Sequence, residues 1–321
     1  MDFLANYFGS LNPMSFLSAL PGNIAQGIIW GLMGLGVFLT FKLLNFADLS
    51  VDGSFATGGA VTAVMLINGC PVWATIIVAI LAGLAAGLVT GLLHTLLGIP
   101  DILAGILTQI ALYSINLNIM GKSNLPISYR NYTLVVSASN INMAILVGLG
   151  ICAVVVAAMY WYFGTEQGST IRSTGSNPAM SKAQGININF TKVIALALSN
   201  GLVALSGSLF AQYQGFADIN MGRGAIVIGL AAVIIGEVLG EAIYRKHMIF
   251  SIRMVFVIVG GILYYIAMGI VLWLKMPTDD TKLFTAIIVA IFLAVPYLQK
   301  KRKTSFKKVA KMNAKNAQKE G

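Results

Sequence analysis

Charge is scarce in this 321-residue chain: Asp, Glu, Lys and Arg make up 10% of it, against roughly 25% in an ordinary soluble domain. Histidine and cysteine are scarcer still, with two of each. His94, His247, Cys70 and Cys152 are too few and too scattered for a metal constellation or a disulfide framework. No HExxH occurs and no apolar run pairs Ser with His, which sets aside the familiar hydrolytic classes. No GxxxxGK(S/T) occurs either, so any ATP hydrolysis linked to this chain belongs to a partner. Positive charge is missing before Lys42, so a secretory signal with its basic n-region is not expected.

What fills the chain is apolar: 57% of residues are hydrophobic and the mean hydropathy is +0.83. Nine runs approach the roughly 20 residues that cross a hydrocarbon core of about 30 Å, near 23–41, 53–68, 72–98, 102–120, 141–163, 193–214, 225–243, 254–274 and 283–298. Backbone polar groups in lipid must be satisfied within the segment, so the runs are read as helices, with the Gly-rich second one broken or re-entrant. The expectation is an all-α polytopic integral membrane protein of about nine transmembrane helices, with eight and ten as the bounds. Residues 1–22, broken by Asn, Ser and Pro, form an extracytoplasmic surface segment, 23–298 the membrane domain, and 299–321 a tail.

The net charge of +10 is a property of that tail. Lys300 to Gly321 holds nine Lys or Arg and one Glu, without the interleaved aromatics or the fold of a nucleic-acid reader, so no nucleic-acid partner is expected. A basic tail beside a span reads as cytoplasmic and as attracted to anionic membrane lipid. With the C-terminus inside, sixteen Lys or Arg fall on the inner side: Lys42, Arg172, Lys182, Lys192, Arg245, Lys246, Arg253 and the nine of the tail. Five fall outside, Lys122, Arg130, Arg223, Lys275 and Lys282, which favours an N-outside, C-inside arrangement.

Phe46, Ala47, Asp48, Leu49 recurs as Phe216, Ala217, Asp218, Ile219, each copy leading into a Gly- and Ala-rich run. The first copy falls inside and the second outside, as an inverted internal repeat requires, and such a repeat puts a path between its halves. The long inner loop 164–192 contains Asn177, Pro178, Ala179, Met180, Ser181, Lys182, Ala183, Gln184, Gly185. Asn177 is a helix cap, Pro178 suits the first helical position, and Gly185 suits the left-handed stop. A short helix so bounded reads as a docking element for a soluble partner, or as a cover for the membrane face.

At this loop the chain resembles the ATP-binding-cassette permeases of the branched-chain amino acid and ribose type. Gly168 to Ile186 is similar to that family's cytoplasmic coupling segment and Val193 to Gly215 to the span that follows it. Asn45, Phe46, Ala47, Asp48 with Gly53 to Val61 resembles its Asn-Phe-Ala entry into a Gly-rich second helix. The run Leu49-Ser50-Val51-Asp52-Gly53-Ser54 departs from the His-Gly of typical branched-chain members and looks more like a subgroup of aromatic amino acid importers. The resemblance implies a transport subunit, not an enzyme, in the cytoplasmic membrane of a prokaryote, with no cofactor of its own. It implies a dimer with a second copy or a related chain, two ATPase subunits that carry ATP and Mg, and an extracytoplasmic substrate-binding protein. Residues 177–185 would then couple the ATPase to the permease.

Gln109, Tyr113 and Asn116 form a polar stripe on one helical face, fitted either to a translocation path or to helix-to-helix hydrogen bonding. Ser54, Thr57, Ser199, Asn200 and Ser206 are candidates for the same path. Gly83, Gly87 and Gly91 have the spacing of close helix packing, within the subunit or between subunits. Glu237 and Glu241 are the ionisable groups well inside a run. They suit anchoring or ATPase contact, and alternatively ion coupling in a secondary transporter.

Overall fold

In the computed structural model, residues 13–128, 132, 134–244, 248–274, 283–292 and 294 are described. The basic tail 299–321, residues 1–12, Arg130, Arg245, Lys246, His247, Lys275 and Lys282 lie outside the described residues.

The first helix, α1, runs Pro13–Val37 and continues as a π-helical turn over Phe38–Leu43. It starts well before residue 23, because Pro13 suits the first turn, where its missing N–H costs nothing. Asn45, at φ 54°, ends it in the left-handed region. There follow α2 Val51–Ile67, α3 Val72–Thr95, α4 Asp101–Met120, β1 Asn124–Pro126, α5 Ile141–Phe163, α6 Glu166–Ser176, α7 Pro178–Ala183 and α8 Ile188–Gln214. The chain continues through β2 Phe216–Asp218, α9 Ala225–Tyr244 and α10 Phe250–Trp273 to α11 Leu283–Phe292. Each of the nine apolar runs holds a helix, the ninth among its described residues over Leu283–Phe292. Among the described residues seven helices are long and apolar enough to cross a membrane, α1 with its π turn, α3, α4, α5, α8, α9 and α10. With 17 residues, α2 falls short, as does α11.

The core lies around α1 and α8, the most enclosed helices, while α4 and α5 turn most of their side chains outwards. These two central helices are antiparallel: Ser199 Oγ donates to Gly36 O at 2.7 Å, Ser206 Oγ to Ile29 O at 2.7 Å, and Tyr213 Oη to Gly22 O at 3.4 Å. Trp30 stacks on Phe55 with centroids 4.8 Å apart and meets Phe210 edge-on at 5.3 Å, which fills the space between α1, α2 and α8.

Around this pair the halves cross over. Gly83, Gly87 and Gly91 of α3 lie against the backbones of Asn200, Leu196 and Val193 of α8, so a methyl on any of them would meet those atoms. Gly27 and Gly31 of α1 lie in the same way against Ile262 and Ile258 of α10. A first-half helix thus packs on a second-half one in each case, at the close spacing that small residues permit.

The two Gly- and Ala-rich helices after the Phe-Ala-Asp copies run in opposite directions. α2 parallels α8: Ser54 meets Asn200 and Thr62 meets Ser208. α9 parallels α1: Gly229 lies against Met33 and Glu237 meets Lys42. Both therefore begin in the middle of the bundle and diverge to its two ends. At one end β1 and β2 pair antiparallel, with Leu125 opposite Ala217. At the other lie α6 and α7. α6 has little apolar content; Thr165 caps it through Gly168 N at 3.4 Å.

Candidate functional site

Residues 44–50 fold back into the bundle, and Asp48, 2% exposed, holds them there. Its carboxylate accepts from Ser50 N at 2.9 Å and Ser50 Oγ, and from Asn200 Nδ2 at 2.8 Å. Asn200 Oδ1 accepts from Ser54 Oγ at 2.6 Å. A buried carboxylate is tolerated when donors surround it, and these donors seat the start of α2 against the middle of α8.

Asp52, in the first turn of α2, reaches across to the start of α9. Its two oxygens accept Gly224 N and Ile226 N, each at 2.9 Å. A helix begins with orphan N–H groups and partial positive charge, and here the carboxylate that answers them comes from the opposite half of the chain. Gly222 is pressed against the Asp52 backbone, where a Cβ would collide.

Beside this junction is a cavity of about 250 Å³ lined by Asp52, Gly53, Ala56, Gln109, Ile110, Tyr113, Ser114, Asn116, Ile219 and Arg223. Sites for drug-sized ligands begin near ~300 Å³, so this one suits a small solute. The Arg223 guanidinium lies 6.0 Å from the centre of the Tyr113 ring. Asn116 is wholly buried, yet neither polar atom of its side chain has a hydrogen-bond partner among the described residues.

The structure brings Gln109, Tyr113 and Asn116 together on the cavity wall. Ser54, Thr57, Ser199, Asn200 and Ser206 do not line it. Thr57 Oγ1 donates to Gly53 O in its own helix, and the other four hold helices and the folded-back loop together through the bonds given above. Asp52 and Arg223 were missed as partners in one site. The signal available was an Asp at the mouth of an apolar run, but its partners lie more than 170 positions away.

Glu237 pairs with Lys42 at 2.7 Å, the two side chains 18% and 44% exposed. Glu241 is exposed, and the residue four positions on, Arg245, lies outside the described residues. His94 is latched by its Nδ1 to Ile99 O at 2.8 Å and by its Nε2 to Lys192 Nζ at 2.9 Å. In α7, Asn177 Oδ1 accepts Met180 N at 3.1 Å, and Gly185 takes φ +82°. Met180 is 60% exposed and Ser181 is buried, so this short helix has an inward face and an outward one.

A family model described as branched-chain amino acid transport system / permease component matches residues 22–296. A tyrosine transport system permease protein of Clostridioides difficile is 42% identical over 93% of this chain and 99% of its own. The D-allose transport system permease protein AlsC of Escherichia coli is 28% identical over 80% of this chain and 77% of its own. PsaBC from Streptococcus pneumoniae, solved in complex with Fab, is similar in fold, with a TM-score of 0.51 at 16% identity over 91% of this chain and 94% of that one. The model spans nearly the whole membrane domain, and the chain belongs to the family of permease components of branched-chain amino acid transport systems.

Proposed function

We propose that this chain is the permease subunit of an ATP-driven importer that moves an amino acid, an aromatic one foremost, inward across the cytoplasmic membrane of a prokaryote by alternating access. The observation that carries this is the cavity where α2 and α9 begin, walled by the polar stripe Gln109, Tyr113 and Asn116. The 42% identical relative named for tyrosine supports an aromatic solute.

Membership of the family implies an ATPase and a substrate-binding partner. In this reading two copies of the chain, or one with a related chain, pair through the outward faces of α4, where Leu103, Leu107, Ile110 and Tyr113 are exposed. The β1–β2 end receives the binding protein. The α6–α7 end, inside, receives two ATPase subunits that supply ATP and Mg. The outward residues of 177–185 transmit their motion.

Met180→Asp and Ala183→Asp test the coupling, because both side chains point away from the core and a charge there leaves the fold alone. The expected result is normal expression, loss of the ATPase on purification, and L-tyrosine uptake reduced tenfold or more. Docking and uptake that survive both substitutions exclude this helix as the coupling element. L-tyrosine uptake that follows an ion gradient and ignores ATP removes the importer reading altogether.

A further inference from the structure

We propose that the cavity beside the junction of α2 and α9 recognises the ammonium and carboxylate of a free α-amino acid together, with Arg223 receiving the carboxylate, Asp52 the ammonium, and Asn116 completing the set. The inference rests on the importer reading above and goes beyond it, because it assigns the solute's chemical class and atoms to this chain's own side chains.

Three observations converge. One guanidinium and one carboxylate line the same small cavity, yet the only ion pair among the described residues is Lys42 with Glu237. Asp52 uses one lone pair of each oxygen on the start of α9; a carboxylate offers about four such sites, so acceptor capacity remains for an ammonium. The exposed Arg223 guanidinium lies 6.0 Å from the centre of the Tyr113 ring and makes no hydrogen bond among the described residues, which leaves its fork open to a carboxylate.

Asn116 supplies the independent sign that a polar ligand belongs here. A buried amide with neither its oxygen nor its nitrogen bonded is destabilising, and this one is 0% exposed and on the cavity wall. Both atoms are closed off from solvent, so a ligand carrying donors and acceptors, as an ammonium with a carboxylate does, answers them once the wall beside Asn116 opens. Of the remaining wall, Ala56, Ile110, Tyr113 and Ile219 are apolar or aromatic and face the side chain of the solute, with Gly53, Gln109 and Ser114 beside them.

The test is ligand protection of a reporter thiol in membrane vesicles holding the assembled transporter. Ser114→Cys, exposed at the cavity, is alkylated with a maleimide in a Cys70→Ser background, the buried Cys152 staying unreactive. L-tyrosine, L-tryptophan and L-leucine are compared with tyramine, which lacks the carboxylate, and 3-(4-hydroxyphenyl)propionate, which lacks the ammonium. At least one amino acid is expected to slow labelling fivefold or more at millimolar concentration, and neither analogue to do so. Arg223→Gln should raise the amino acid concentration needed at least tenfold, and Arg223→Lys should recover part of it. Protection by tyramine or by the propionate equal to that by L-tyrosine overturns the paired recognition. No protection by any amino acid, with the ATPase still co-purifying, overturns this inference alone. Loss of the ATPase from the unsubstituted complex overturns the importer reading and this inference with it.

Discussion

Asp52 does for α9 what a local capping residue does for most helices, from a position 172 residues before the first N–H it accepts. Replacing it with Ala leaves Gly224 N and Ile226 N without their acceptor, and loss of a cap costs about 1–2 kcal/mol. Asp52→Ala should therefore lower the melting temperature of the detergent-purified chain by several degrees, and Asp52→Asn, which keeps one acceptor oxygen, by about half as much. Equal melting of all three proteins would mean that the cap contributes nothing. Glu237 has a different standing. Its pair with Lys42 is partly exposed, and such pairs contribute about 0–1 kcal/mol. Glu237→Gln is expected to keep ATP-dependent amino acid uptake within about twofold, measured against an imposed proton gradient; a collapse of uptake would return the ion-coupled mechanism. The stripe Gln109, Tyr113, Asn116 was legible in the sequence because it is a local helical period. For Ser199, Asn200 and Ser206 the structure shows protein partners, which sequence could not name: a polar residue in an apolar helix announces that it needs a partner, and cannot say whether that partner is a solute or the Ile29 carbonyl.

Helices were the most legible elements, since their apolar runs end at Gly, Pro and charged residues that the structure also uses as ends. Gly121 and Gly215 close α4 and α8 at φ +67° and +78°. α6 was not legible, because a helix with little apolar content has no periodic face to read, and only Thr165 before Glu166 marked it. The glycines of α3 carry a sharper expectation. A Cβ at Gly87 would meet the Leu196 carbonyl, whereas at Gly150 of α5 nothing lies within 4 Å. Gly87→Val should abolish the monodisperse peak on size-exclusion chromatography, and Gly150→Val should leave it unchanged. If both behave alike, close approach of α3 to α8 is not what holds the bundle.

At the scale of the whole molecule, the orientation proposed from the charge pattern is open to direct measurement. In intact cells, with Cys70 replaced by Ser, a membrane-impermeant maleimide should label Ser123→Cys beside β1. It should label Ala179→Cys in α7 only after permeabilisation. The reverse pattern would place α7 outside and remove its role in docking an ATPase. Beyond the two four-residue copies, α1, α2 and α3 run antiparallel to α8, α9 and α10 in turn, the arrangement that an inverted repeat requires. Sequence could give the echo but not this extent, because packing constrains which residues are small rather than which they are. The crosswise arrangement, α3 on α8 and α10 on α1, has a mechanical consequence. Halves that merely abutted could rock about a shared axis; halves laced through one another by backbone contact at Gly83, Gly87, Gly27 and Gly31 cannot separate without unpacking the core. In the importer reading the chain is therefore expected to swing as one stiff lever, with its gate hinged at the perimeter.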